Sequence, residues 1–152
     1  MARFAASGLS GALTTTIKTA LGIQQPASTL KGRLELYMIV LSSAATPADS
    51  AIEWLVQKTS TAGTSTAVTA TDVDDASNTP VGLAGQTFTA EPTAVANTIL
   101  LDIGLNQRSP YTIVLGQGYE WPIANTASRG ASIGAKHPTV TPTVIASAFW
   151  RE

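Results

Sequence analysis

Arg33-Leu34-Glu35-Leu36-Tyr37-Met38-Ile39-Val40-Leu41 alternates at first between apolar and polar residues and then turns apolar on both sides. A period of two places successive side chains on opposite faces of an extended chain, and Tyr, Ile and Val fit a half-buried pleated surface. The stretch predicts a β-strand. It lies between turn formers, with Pro26 before it and Pro47 after it in a turn spanning 44–49.

The pattern recurs toward the C-terminus. Ile52 to Thr59 reads as a second strand, with polar residues at Glu53 and Gln57. Residues 61–65 form a loop, and Ala67 to Ala70 a short strand. Residues 72–93 are polar and broken by Pro80, Gly82, Gly85 and Pro92, with Gln86 to Ala90 the best strand candidate. Asn97 to Leu105 and Tyr111 to Leu115 follow, then a turn at Gly116-Gln117-Gly118. Tyr119 to Ile123 can pair only as an edge, because Pro122 has no N–H to donate. Ala131 to Ala135 is short. In the last strand Val144, Ala146, Ala148 and Trp150 share one face, and Ile145, Ser147 and Phe149 the other.

Eight or so short strands punctuated by Gly, Pro and Asn, with almost no helix after residue 31, predict an all-β chain. The expected architecture is an antiparallel β-sandwich, jelly-roll-like. The pattern is also compatible with an immunoglobulin-like strand order. No repeat of 20–50 residues is visible, which disfavours a propeller or solenoid.

Residues 1–31 read differently. Leu9, Leu13, Ile17 and Leu21 recur every fourth position, with Ser10 a candidate N-cap and Gly22 a candidate C-terminal stop. Thr14-Thr15-Thr16 opposes helix, because β-branched side chains lose rotamer freedom there. Two readings stand, a short helix or an extended N-terminal arm, followed by a linker at 24–28. The expected division is an arm or helix over 1–31 and a sandwich over 32–152. An apolar arm suits docking on a neighbour, so Leu9, Leu13, Ile17 and Leu21 are candidate interface residues.

Composition narrows function. The 152 residues suit one domain, since domains most often run to about 100–150 residues. The chain has no Cys and one His, and only 12% of it is charged while 44% is hydrophobic. That inventory removes thiolate metal sites and disulfides and leaves few groups for a catalytic constellation. The expectation is no enzyme, no cofactor and no metal. A net charge of −1 offers no basic stripe for phosphates, so no nucleic acid is expected. No window nears the roughly 20 apolar residues of a membrane span, so no membrane partner is expected either. Sparse charge suits a surface covered in an assembly.

Individual residues carry alternative readings. His137 reads as an ordinary loop residue. Asp72, Asp74 and Asp75 begin like a calcium loop but lack its Gly and closing Glu, and read as a solvated turn. Glu53, Asp102 and Glu120 could be paired carboxylates of a hydrolase, against the plainer reading of charges that discourage edge pairing. Trp54 and Trp150 read as packing residues. Trp121, beside Pro122 and near a Gly turn, reads as an exposed interface anchor, with Tyr119 beside it.

The chain also resembles a known group of proteins. Ala45-Thr46-Pro47-Ala48-Asp49-Ser50-Ala51 leads into Trp54-Leu55-Val56-Gln57-Lys58. Thr61 to Thr69 then runs into the Asp-rich stretch, and Thr89-Ala90-Glu91-Pro92-Thr93 precedes Asn97-Thr98-Ile99-Leu100-Leu101 and Leu105-Asn106-Gln107-Arg108. This series, over roughly residues 34–108, resembles small virion proteins of tailed bacteriophages, similar in kind to capsid decoration or cement proteins. The resemblance implies a β-sandwich on the outer capsid surface of the virion, with the phage major capsid protein as partner. It implies a homo-oligomer, a dimer or trimer, and carries no catalytic residues. A carbohydrate-binding or host-adhesion module using Trp121 and Tyr119 is the alternative, as is a head–tail or tail subunit.

Overall fold

In a computed structural model that describes residues 1–28, 33–44, 48–74 and 77–152, the chain is all β, with no helix among those residues. The strands, in chain order, are β1 (Arg3–Leu9), β2 (Lys18–Gln24), β3 (Leu34–Ser43), β4 (Ala51–Thr59), β5 (Thr64–Val68) and β6 (Thr71–Asp72). They continue with β7 (Leu83–Ala90), β8 (Ala94–Asn106), β9 (Tyr111–Val114), β10 (Trp121–Ile123), β11 (Gly130–Lys136) and β12 (Val144–Arg151).

They form two antiparallel sheets packed face to face, a β-sandwich. The first runs β10-β3-β12-β1-β6, with β9 beside β3 in line with β10. The second runs β5-β7-β2-β11-β4-β8. Pairing is nested from the chain ends inward. β1 pairs with β12, β2 with β11, β3 with β10 and β9, and β4 with β8.

The core lies between the sheets. β12 alternates strictly, with Val144, Ala146, Ala148 and Trp150 buried, as its sequence predicts. Leu34, Leu36, Ile39 and Leu41 come from β3, and Ile52, Trp54 and Val56 from β4. Trp150 is fully buried and its ring lies 6.0 Å from that of Phe4. Fully burying each large apolar side chain stabilises the fold by roughly 1.5–3 kcal/mol. β3 keeps one extra residue, Tyr37, where its register against Phe149 and Trp150 shifts. That bulge lets Leu36 and Ile39, three apart, both face inward.

The N-terminal expectation is corrected. Residues 1–28 hold neither a helix nor a detached arm, and 29–31 lie outside the described residues. β1 lies between β12 and β6, and β2 between β7 and β11. Leu9 ends β1, Leu13 and Ile17 lie in the connection, and Leu21 is in β2, so their fourfold spacing marks no common face. With Thr14-Thr15-Thr16 opposing helix, the extended state wins. Leu13 and Leu21 are fully buried in the core. The two strands meet closely at Gly8, where a β-carbon would run into the carbonyl oxygen of Ala20.

The two outer faces differ. Phe88 crosses the outside of the second sheet above Gly22, and a β-carbon on Gly22 would stand 2.8 Å from its ring. The strap continues through Glu91, which accepts a hydrogen bond from the Thr19 N–H at 2.9 Å. Ile17 covers Gly134 farther along. Hence β2 and β11 are buried on both faces. Among the described residues, none crosses the outside of the first sheet in this way.

The described part of the acidic stretch ends β6 at Asp72 and bends through Val73 and Asp74. Asp72 accepts from the Asp74 N–H and from the backbone and side-chain N–H groups of Asn78. Asp74 pairs with Arg3 at 2.6 Å. Asp75 and the turn expected around Pro47 lie outside the described residues.

Candidate functional site

The bare outer face of the first sheet is the candidate site. Cross-strand pairing sets its side chains in rows. One row runs Ala5, Phe149, Met38, Val114. The next runs Ser7, Ser147, Val40, Thr112, with Ser7 and Ser147 joined through their hydroxyls at 2.7 Å. The third runs Leu9, Ile145, Ser42. No charged residue stands in any of them. Four strands about 4.8 Å apart and five residues rising about 3.4 Å each give on the order of 300 Å² in projection. Over that area apolar and hydroxyl side chains alternate, with Leu9 and Val114 its exposed large apolar residues and Met38, Val40, Ile145 and Phe149 half-buried.

Charge is confined to one end of this face. The adjoining row is Arg3, Arg151, Glu35, Pro122. Its ions are internally matched. Arg3 pairs with Asp74, Arg33 with Glu35 at 3.1 Å, and Arg151 with Glu120 at 2.9 Å while stacking over the Tyr37 ring. The Arg3 hydrogen bond holds the Asp74 carboxyl below the usual carboxylate range and raises Arg3 in return. Glu120 is held low first by its own backbone N–H, then, against the opposing effect of burial, by the Gly118 N–H and Arg151. The rim therefore adds little net field, and the rows beside it offer shape, methyl groups and hydroxyls.

Of the residues singled out from sequence, Leu9 belongs to this face and is 38% exposed. Three others are corrected. Leu13 and Leu21 fill the core, and Ile17 is half-buried against Gly134. Trp121 is also corrected. It pairs with Leu36, as Ile123 pairs with Leu34, so it faces inward and packs on the core. Tyr119 stands out at 78% exposure. The two aromatics thus do not share an open platform. Trp54 and Trp150 are buried, as expected. Sequence reading missed Phe149, Met38 and Val40 as surface residues. Their signal was the apolar character of both faces of β3 and β12.

His137 is more than a loop residue. Its Nδ1 accepts the N–H groups of Thr139 at 3.2 Å and Val140 at 3.0 Å. Those bonds assign the ring hydrogen to Nε2, which donates to Ser50 Oγ at 3.2 Å. The Gln107 side-chain N–H also donates to Ser50, and Gln107 Oε1 accepts from Ala48 N–H. A Ser beside an imidazole resembles a nucleophile and its base, but a base must offer the Ser a lone pair. Here the ring points its hydrogen at the oxygen, and the cluster ties three loops together.

Glu53 pairs with Lys136 at 2.8 Å and lines a pocket of about 160 Å³ with Thr15, His137 and Pro138. Asp102 lies diagonal to it across β4 and β8, where Glu53 opposes Gly104 and Leu55 opposes Asp102. Glu120 is on the rim of the other sheet. Among the described residues, no three His, Asp or Glu side chains gather as a metal site. Comparison of the chain with protein-family models, with curated proteins and with solved structures finds no match in any of the three.

Proposed function

We propose that the chain is a structural protein of a phage virion. It binds the outer capsid surface and cements neighbouring major capsid subunits against internal DNA pressure. The observation that carries this reading is the uncharged outer face of the first sheet, left bare while the chain straps its second sheet. The resemblance of residues 34–108 to capsid decoration proteins points the same way. The nested strand pairing supports a jelly-roll-like roll of the kind found in viral capsid domains.

The mechanism is linkage. A protein that binds only the assembled, expanded shell lowers that state's free energy by its binding energy. Where one oligomer, a dimer or trimer, grips two or more subunits, separating them also breaks the cement contacts. Linked contacts then hold far more tightly than any one of them. A Lys placed mid-face, as in Val40→Lys, puts an unpaired charge in the contact while sparing the core behind it.

The test is binding to purified phage heads. Wild type should saturate at hundreds of copies per head and raise the temperature of DNA release. Val40→Lys should melt like wild type in isolation yet fail to decorate. About a dozen copies per particle, the stoichiometry of a connector, or unchanged heat tolerance would overturn the reading.

A further inference from the structure

Five of the chain's cations, Arg3, Lys18, Arg33, Lys136 and Arg151, are in ion pairs. Among the described residues, Lys58, Arg108 and Arg129 have no carboxylate partner. Lys58 and Arg129 line one pocket of about 230 Å³ at the end of the sandwich. Two of these three cations thus line one pocket, in a chain that is only 12% charged.

The fold holds both there. In the β4–β11 ladder Lys58 opposes Ala131, and Arg129 precedes Ala131 by two residues, which makes it the diagonal neighbour of Lys58. The Arg129 backbone is fixed on both sides. Its N–H donates to Thr126 O at 3.1 Å, and its carbonyl accepts Gln25 N–H at 2.8 Å. The turn before it is set by Ser128 in the left-handed region, at φ 59°. Thr59, Thr126, Ile123 and Val95 complete the lining. Two cations lining one pocket, with no carboxylate paired to either, favour an external anion there. A planar guanidinium fork and a lysine point charge on one pocket are the donor set for an oxyanion. At about 30 Å³ per water, the space takes such a group with a few waters.

We propose that Lys58 and Arg129 form an oxyanion site, filled by the carboxylate of an acidic side chain on a docked partner protein or by free phosphate. The site does not depend on the shell reading and is tested on the isolated protein.

Backbone amide shifts are followed by NMR at low salt during titration with inorganic phosphate, and separately with N-acetyl-glutamate N-methylamide. Saturable one-to-one shifts centred on Thr59, Thr126, Arg129 and Gly130 are expected. Phosphate alone saturating assigns the free ion; the glutamate compound saturating assigns a partner's carboxylate. Lys58→Met and Arg129→Met keep most of the apolar stem, and each should weaken binding about tenfold or more, the scale of one charge-assisted hydrogen bond. Arg108→Gln should leave it unchanged. Shifts that never saturate with either probe, or that persist equally in the folded double Met variant, would overturn the site.

Discussion

Glu152 offers a sharp test of how the sandwich is closed. Its Oε1 accepts the Trp150 indole N–H at 3.0 Å and the Gly82 N–H at 2.8 Å, and its Oε2 accepts the Val81 N–H at 2.8 Å. Its own N–H donates to Ala2 O at 3.0 Å. One carboxylate thus ties the end of β12 to the segment entering β7 and orients the largest fully buried side chain. Replacing Glu152 with Ala removes the acceptor from three N–H groups at once. Each unsatisfied buried donor costs about 1–3 kcal/mol, but water can reach the partly exposed ones, so a total of about 2–4 kcal/mol is expected. At about 2–4 °C per kcal/mol for a chain of this size, the melting midpoint should fall by roughly 5–15 °C. Glu152→Gln keeps one acceptor oxygen and turns a donor toward another donor, so it should fall between. The assay is thermal unfolding followed by Trp fluorescence and circular dichroism. Adding Trp150→Phe completes a double-mutant cycle, with a coupling of about 1 kcal/mol expected from the shared bond. A Glu152→Ala protein that melts with wild type, or a cycle with no coupling, would refute the reasoning.

Two further predictions concern other parts of the fold. Gly8→Ala forces a β-carbon into backbone that cannot swing away, so it should cost about 1–3 kcal/mol or more by the same melting assay, and an unchanged midpoint would contradict the close approach. Asp74 and Glu120 have carboxyls held below their ordinary range, so their contribution is present above the unfolded-state range near 4 and lost as pH falls through the lower folded values. Stability measured by urea unfolding should therefore hold steady from neutral pH to about 5 and drop below about 4, with a smaller drop in Asp74→Asn.

The strands legible in sequence were those whose period of two was carried by large side chains. Val144 to Trp150 and Arg33 to Leu41 show it plainly, and Pro122 correctly marks an edge. β1 was hidden because Ala5, Ala6, Ser7 and Gly8 are too small to show which face is which. In β2 the outer face is buried beneath Phe88, so Thr19 to Ile23 lacks the polar half of the alternation. Trp121 was misplaced because a neighbouring Pro and a Gly turn argue for exposure locally, whereas pairing with Leu36 decides it across the sheet. The apolar outer positions Met38, Val40 and Phe149 were visible as letters but not as one surface, since only cross-strand register brings β3 and β12 together. The meeting of Lys58 with Arg129 depends on the same kind of long-range pairing.

The pairing of Arg3 with Arg151 has a consequence for how this molecule comes into being. Its two-residue pairing with β6 can form early, but the seven-residue pairing of β1 with β12 waits for a strand 140 residues further on at Ser7 and Ser147, and each inner pair waits on a shorter but still long loop. Closing such loops spends chain entropy before any contact returns it, which places sandwiches among the slow folders, in milliseconds to seconds. While it waits, β1 presents Phe4 and a row of free N–H and C=O groups to whatever is nearby. Crowding during synthesis, more than heat afterwards, is the hazard this topology sets.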